Sequence, residues 1–338
     1  MRCLLKYLLK TVLFICVISV SLLACTILFT EYYGGVASAE SNFPPGTLYP
    51  VLGISFHSSK TGWMAGYAGH IWHTSDGGKT WNSQNTPTIK SLADIQFVDT
   101  KNGWAVGYAG TILNTRDGGK TWDIQKSPLD YFWKAVYFKN QNRGWIVGER
   151  GTILNTTNGG RSWSVQLTGD DIILNAITFS PDGHGWAAGE FGVIYTTSDG
   201  NRWTLQDNGI AAKDNTLWSI CYVGKGDVMA AGIGSTILLS HNYGINWRST
   251  DKMKKAYGQG SLFRIFYFKG KIITFGHKNI FYSDNNITSW RKSVFKVPLS
   301  YNECLYDYCL KENGGAWIAG IRGSLFHTSD GIKWEKIR

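Results

Sequence analysis

The chain has 338 residues, 43% of them hydrophobic and 17% charged, with a formal net charge of +10. Those proportions exclude a disordered polar chain and suit a well-packed globular domain. Forty glycines against seven prolines provide for many tight turns, and 15 Trp, 17 Tyr and 16 Phe can fill a large core.

The N-terminus reads as an export element. Arg2, Lys6 and Lys10 precede an uncharged run, residues 11–30 (TVLFICVISVSLLACTILFT). A signal peptide needs an apolar stretch of about 7–15 residues and a bilayer span about 20. The run therefore predicts a hydrophobic helix, either a long export signal or a retained anchor. Ala37-Ser38-Ala39 has the small-x-small pattern of a cleavage site. Leu22-Leu23-Ala24-Cys25 resembles a bacterial lipobox that would lipidate Cys25, although greasy Thr26-Ile27-Leu28-Phe29 follows where a lipoprotein turns polar. The basic residues keep that end in the cytoplasm and send the rest across. The expected division is 1–39 signal or anchor, 40–46 linker and 47–338 folded domain.

Beyond the linker one unit repeats seven times. Its clearest copies are Gly62–Trp81 (GWMAGYAGHIWHTSDGGKTW), Gly103–Trp122 and Gly144–Trp163, and closing tryptophans recur at Trp203, Trp247, Trp290 and Trp334. The period is about 40 to 44 residues, the range of four-stranded propeller blades. Each copy is preceded by a hydrophobic-x-x-Ile/Val-x-aromatic segment, as in Val51–Phe56, Leu92–Phe97, Trp133–Phe138 and Leu174–Phe179, with looser versions later. Each unit thus offers four short strands separated by Gly, Asn and Asp turns, and no segment has a sustained helical period. Closing such sheets into a ring removes long exposed edges. The expected fold is all-β, a seven-bladed β-propeller of four-stranded blades.

The polar turn before each closing Trp is the Asp-box, S/T-x-D-x-G-x-S/T-W, also called the bacterial neuraminidase repeat. In the copy ending at Trp81, Asp76 can accept N–H bonds inside the turn and Gly78 permits a positive φ. Asp117 and Asn158 hold the same place in the next two copies, while the copies of Asp199 and Asp330 are one residue short. The fifth copy keeps Asn242 and Gly244, and the sixth has Ile287 at the glycine position. These acids are expected to be structural.

Asp-box propellers include sialidases, which need an arginine triad, a Tyr–Glu nucleophile pair and an acid Asp. The inner-strand positions here are Gly53, Asp94, Ala135, Ala176, Ser219, Arg264 and Asp307. Arg264 stands without a second arginine, so Asp94, Arg264 and Asp307 are expected to line the central channel, with Arg264 paired to Asp307. No catalytic residue, metal or cofactor is expected. Of the cysteines after Ala39, Cys221, Cys304 and Cys309 match no metal pattern. Cys304 and Cys309 either form a local disulfide or sit as small buried hydrophobes.

The excess charge is local: residues 40–247 carry 15 basic and 16 acidic groups, residues 248–296 carry 11 and 2, and residues 297–338 carry 5 and 5. That basic stretch either decorates solvent-facing strands or meets an acidic partner or an anionic membrane. No nucleic-acid module is present. The turns between second and third strands keep flanking glycines in most copies and vary at their tips, as a binding rim should. They point to Glu149, Arg150, Glu190, Phe191, His277, Lys278 and Arg322 as partner contacts, together with Lys252, Lys254 and Lys255 in a link between blades. Aromatic tips (Tyr67, Tyr108, Phe191) leave a carbohydrate-binding or sialidase-type propeller as the alternative.

The combination of GW-[AIM]-[AV]-G, G-T-I-L-x-T and D-G-G-K-T-W, best seen at Gly103–Trp122, resembles the photosystem II stability/assembly factor family over residues 47–338. The resemblance implies a seven-bladed propeller on the lumenal or periplasmic side of a membrane, with no enzymatic activity. It further implies a monomeric, membrane-associated assembly chaperone whose partner is a protein, a membrane-embedded photosystem subunit or a subunit of another membrane complex. The expected location is the extracytoplasmic face, whether periplasm, cell surface or thylakoid lumen.

Overall fold

The computed structural model describes residues 50–206, 215–276, 279–284, 287, 289–296, 304–311 and 315–337, without the side chains of Lys311 and Arg322. The expected N-terminal helix, the Cys25 and Ala39 processing sites and the linker lie outside the described residues.

Seven antiparallel sheets follow one another along the chain. Blade 1 comprises Val51–Phe56, Gly62–Gly66, Ile71–Thr74 and Asn82–Gln84. Blades 2 to 7 occupy residues 92–124, 133–167, 174–205, 217–250, 262–292 and 305–336. Blade 7 gains a fifth strand, Val294–Phe295 from the preceding link, parallel to its outer strand Lys333–Lys336. The second strand of blade 1 is buried at all five positions, whereas Asn82 and Ser83 of the outer strand are exposed. A strand sandwiched between neighbouring blades reads as continuously apolar, and an edge strand reads as polar.

The Gly-Trp pair follows from that packing. A Cβ on Gly62 would meet the Phe56 ring of its own blade at 2.6 Å, so only glycine leaves room. Trp63 then stacks on Phe97 of blade 2 at 3.5 Å between centroids, and Trp104 on Phe138 of blade 3 at 3.5 Å. The same contact closes the ring, for Trp317 of blade 7 stacks on Phe56 of blade 1 at 4.5 Å. One cluster accordingly mixes Val51, Ile54 and Phe56 with Trp317, Ala319 and Leu325.

The Asp-box is a closed set of hydrogen bonds. The Thr74 hydroxyl donates to Asp76 Oδ1 (2.8 Å) and accepts the Gly78 N–H (2.9 Å). Thr80 donates its N–H to Asp76 Oδ1 (2.9 Å) and its hydroxyl to Oδ2 (2.6 Å). Slight desolvation raises the Asp76 pKa, but the Thr80 and Thr74 bonds outweigh it and bring the group to about 2. At the degenerate sixth box, Ile287 adopts the glycine-like φ of 49° and sends its side chain into the core beside Trp290. A β-branched residue there is strained, so burial of the side chain offsets the backbone cost. Cys221, Cys304 and Cys309 are all free thiols, which leaves the disulfide reading without support.

Candidate protein-binding rim and axial channel

Among the described residues, the turn between the second and third strands is a single 3-10 turn in five blades, as at Tyr67–Gly69, Glu149–Gly151 and Glu190–Gly192. Its first residue donates its N–H to the link that enters the same blade: Tyr108 to Ser91 O (3.0 Å), Glu149 to Phe132 O (3.0 Å), Glu190 to Ile173 O (3.0 Å), Ile233 to Thr216 O (3.0 Å). The glycine just before the turn permits this approach, since a Cβ on Gly148 would lie 2.1 Å from Phe132 O. The second residue is left-handed: Ala68, Arg150 and Phe191 have φ of 53°, 59° and 53°. Its side chain therefore stands away from the blade. Phe191 is 58% exposed, and the Arg150 guanidinium meets exposed Asp171 at 2.9 Å.

Glu149 and Glu190 behave differently from Arg150 and Phe191. Glu149 Oε2 accepts the Phe132 N–H (2.8 Å) and Glu190 Oε2 the Ile173 N–H (2.9 Å). Each glutamate thus exchanges two bonds with the link beneath it, which gives it a role inside the turn. His277 and Lys278 lie outside the described residues, as does the Arg322 side chain.

The link between blades 5 and 6 forms a short helix, α1 (Lys252–Tyr257), where the sequence shows no helical period. Buried Met253 anchors it. Its C-terminal end is tied to the rim turn of blade 5, because Ser235 Oγ donates to Gly258 O (2.9 Å) and accepts the Gly260 N–H (3.0 Å). Lys252, Lys254 and Lys255 are exposed on this rim, with Lys255 bound to Asp251 at 2.6 Å. The remaining basic groups of residues 248–296 are spread over other elements: Lys269 Nζ donates to Ser329 O (2.9 Å), Lys292 lies over the Tyr257 ring (5.6 Å), and Lys296 pairs with Glu335 (2.7 Å).

Each innermost strand carries a bulge near its start, with register breaks between Leu92 and Asp94, Leu217 and Ser219, Leu262 and Arg264, Leu305 and Asp307, and likewise in the other three blades. The skipped residues include Ala93, Lys134, Asn175, Trp218 and Phe263. Bulges re-aim a side chain, and in blade 3 the bulge carries Lys134 toward blade 5. Lys134 of blade 3 places Nζ 5.8 Å from the Trp218 ring of blade 5 and 4.8 Å from the Phe132 ring. Burial, followed by the Arg264 charge, lowers the Lys134 pKa to about 8, against the pull of Glu190 and Glu149.

Deeper in the channel, Asp94, Arg264 and Asp307 come together. Arg264 Nε donates to Asp307 Oδ1 (2.9 Å) and its Nη1 to Phe263 O (3.0 Å). Asp307 Oδ2 accepts the Ile54 N–H of blade 1 (3.0 Å), so this pair also bridges the ring closure. Asp94 accepts the N–H groups of Ile95 and Val136, both at 2.8 Å. Burial, and then the Asp307 charge, raises its pKa to about 7 against the Val136 N–H, Arg264 and the Ile95 N–H. Sequence reasoning missed Lys134 and Trp218. The available sign was a lysine inside the otherwise apolar segment Trp133–Phe138. Among the described residues no group of three or more His, Cys, Asp or Glu could hold a metal, and no helix is long and apolar enough to cross a membrane.

Residues 81–170 and 126–206 match the model of the family described as photosynthesis system II assembly factor YCF48. The resemblance read from the repeats is thus found again across the second to fourth blades. Comparison with the curated proteins gives no match. Among solved structures, YCF48 bound to a D1 peptide has 19% identity and a TM-score of 0.67, covering 83% of this chain and 92% of that one. YCF48 from Cyanidioschyzon merolae has 18% identity and a TM-score of 0.68, covering 86% and 98%. An ancestral GH74 enzyme has a TM-score of 0.70 at 12% identity over 89% of this chain, which spans 48% of that enzyme. At these identities the structural likenesses show a shared fold.

Proposed function

We propose that this propeller is a non-enzymatic assembly factor that holds a segment of a membrane-complex subunit against its variable rim. A photosystem II reaction-centre subunit is the first candidate partner. The observation that carries this reading is the family match over residues 81–206, the same repeats whose turns present Arg150 and Phe191. The solved relative bound to a D1 peptide supplies the class of partner. Arg and aromatic side chains dominate protein-binding hot spots, and the left-handed turns hold these two clear of the blade. Export through residues 11–30, action on the extracytoplasmic face and a monomeric state complete the proposal. A glycosidase has less support: Arg264 is engaged by Asp307, both Asp94 oxygens accept backbone N–H bonds, and the Asp-box acids are occupied inside their turns.

Overlapping peptides covering D1, scored by fluorescence anisotropy, test the reading alongside a glycan and glycosidase-substrate panel. At least one D1 stretch should bind. The Arg150→Ala/Phe191→Ala double variant should weaken it about tenfold or more. Charge reversal of Lys252, Lys254 and Lys255 should weaken binding of acidic stretches. Turnover or binding of a glycan without binding of any D1 peptide would replace this function with the carbohydrate-directed one.

A further inference from the structure

We propose that the mouth of the axial channel is an anion site, in which Lys134 takes a carboxylate of the docked partner, from an acidic side chain or from a chain terminus. The inference rests on the protein-binding reading above, but it concerns residues that the rim argument does not use.

Lys134 has three N–H donors, yet among the described residues no hydrogen bond or ion pair engages them, and Nζ lies over the Phe132 and Trp218 rings. The indole N–H of Trp218 is also buried without an acceptor. Arg264 spends Nε on Asp307 and Nη1 on Phe263 O, and Nη2 has no described acceptor. Unmet donors on three neighbouring side chains, two of them cationic, therefore gather at one place.

The acids nearby do not meet this demand. Glu149 and Glu190 each spend an oxygen on the link beneath the rim. Both oxygens of Asp94 and of Asp307 are occupied by backbone N–H groups or by Arg264. Lys134 is half-buried, and the charges of Glu190 and Glu149 act on it without a hydrogen bond to it; an entering carboxylate would give it charge-assisted bonds. The two rings supply apolar walls for the chain that carries the carboxylate, and the bulge fixes the lysine at the channel mouth.

Two measurements test the site. The first needs no partner: the Lys134 side-chain amine, assigned by NMR through Lys134→Met, is titrated in the presence of acetate or inorganic phosphate. Its pKa should rise toward the ordinary lysine value as the anion binds; a pKa unmoved by either anion overturns the site. Lys134→Met should melt at or above the wild-type temperature, and a large fall would show that Lys134 already has a partner.

The second compares D1 peptides with a free or amidated C-terminus, and with Asp and Glu changed to Asn and Gln. Loss of the bound carboxylate should weaken binding to wild type about tenfold, leave Lys134→Met unaffected, and weaken Lys134→Arg as it does wild type. The terminal and side-chain arms identify the source of the carboxylate. Peptides that bind Lys134→Met as they bind wild type sink the inference alone. A responsive amine with no peptide binding keeps the anion site and sinks the assembly reading.

Discussion

Blades 1 to 4 and blades 5 to 7 repeat the same strands but are joined by different chemistry. From blade 1 to blade 2, Gln84 Nε2 donates to Gly118 O (3.0 Å), Gln84 Oε1 accepts the Trp122 indole N–H (3.2 Å), and Trp63 Nε1 donates to the same Gly118 O (3.0 Å). Gln125, Gly159, Trp163 and Trp104 repeat the clamp, as do Gln166, Gly200, Trp203 and Trp145. At blade 4 only the tryptophan arm survives, with Trp186 Nε1 donating to Tyr243 O (3.0 Å). Gln206 turns to Thr196 Oγ1 (2.8 Å), and among the described residues the indole N–H groups of Trp247, Trp290 and Trp334 have no partner. In place of the clamp, blades 6 and 7 pack apolar side chains: Phe266 stacks on Tyr308 at 4.3 Å, within a cluster containing Phe275, Phe326 and Trp334. A directional clamp needs Gln, Gly and Trp at fixed spacing, so it holds the motif to pattern. Apolar packing accepts any set of side chains that fills the volume, and there the motif drifts.

The largest test of that contrast is at the Gly-Trp tryptophans and the closing tryptophans. Trp145→Ala should cost about 3–5 kcal/mol, read from denaturant unfolding. The sharper version uses phenylalanine: Trp145→Phe forfeits the bond to Gly200 O (2.9 Å) and should cost about 1 kcal/mol more than Trp334→Phe, which breaks no hydrogen bond. Equal losses at the two sites would dissolve the distinction between the halves.

The two halves meet in the channel, where Asp94 of blade 2 faces the Arg264–Asp307 pair of blades 6 and 7. A folded pKa of about 7, above the ordinary 3.8, means that native Asp94 binds its proton more tightly than the unfolded chain does. Its contribution is fully present below about pH 4 and is lost as pH rises through about 7. Wild type should therefore lose stability relative to Asp94→Asn across that window, by an amount on the order of a few kcal/mol. Parallel melting curves from pH 4 to 8 would show that burial and the Asp307 charge do not raise the Asp94 pKa.

Next in size is the clamp glutamine. Gln125→Ala removes a donor to Gly159 O (2.9 Å) and the acceptor for Trp163 (3.2 Å), and should cost roughly 1–3 kcal/mol. Gln206→Ala should cost less, because its bond to Thr196 stays within its own blade. A reversed order would mean that the clamps do not hold blades 1 to 4 together.

The blade count, the strand order and the Asp-box role were legible in the sequence because each depends on short-range rules: alternation, glycine at fixed places, an acid two residues after a threonine. The Gly-Trp pair was visible as a motif, but its cause was not, since the ring that Trp63 covers belongs to the next blade. The channel was half legible. Positions such as Asp94, Arg264 and Asp307 follow from aligning the repeats. The bulge that carries Lys134 to Trp218 depends on how one strand slips against its partner, and nothing in a single strand's pattern marks that slip. Helix α1 was hidden for a similar reason, being six residues held by Met253 and Ser235 more than by its own periodicity. The rim glutamates Glu149 and Glu190 looked like contacts because their reciprocal bonds run to links 17 residues away.

The smallest expected effect bears on why the Asp-box tolerates change in one half and decays in the other. Asn158 stands where Asp76 and Asp117 stand, and it keeps the bonds from the Thr156 hydroxyl (2.9 Å) and the Ser162 N–H (3.0 Å) to Oδ1. Its Nδ2 donates to Ser162 Oγ (2.8 Å), so the hydroxyl simply reverses its part. Charge is therefore dispensable, and Asp117→Asn should cost no more than about 0.5 kcal/mol at pH 7, the group being exposed and screened. The acid limb should respond more clearly. With Asp117 drawn down to about 2, chiefly by the Thr121 and Thr115 bonds that outweigh slight desolvation, its contribution is present above about pH 4 and is lost as pH falls through 2. The variant should flatten that part of the acid-unfolding curve. A large loss at neutral pH would instead assign the carboxylate work that its amide counterpart in blade 3 does without.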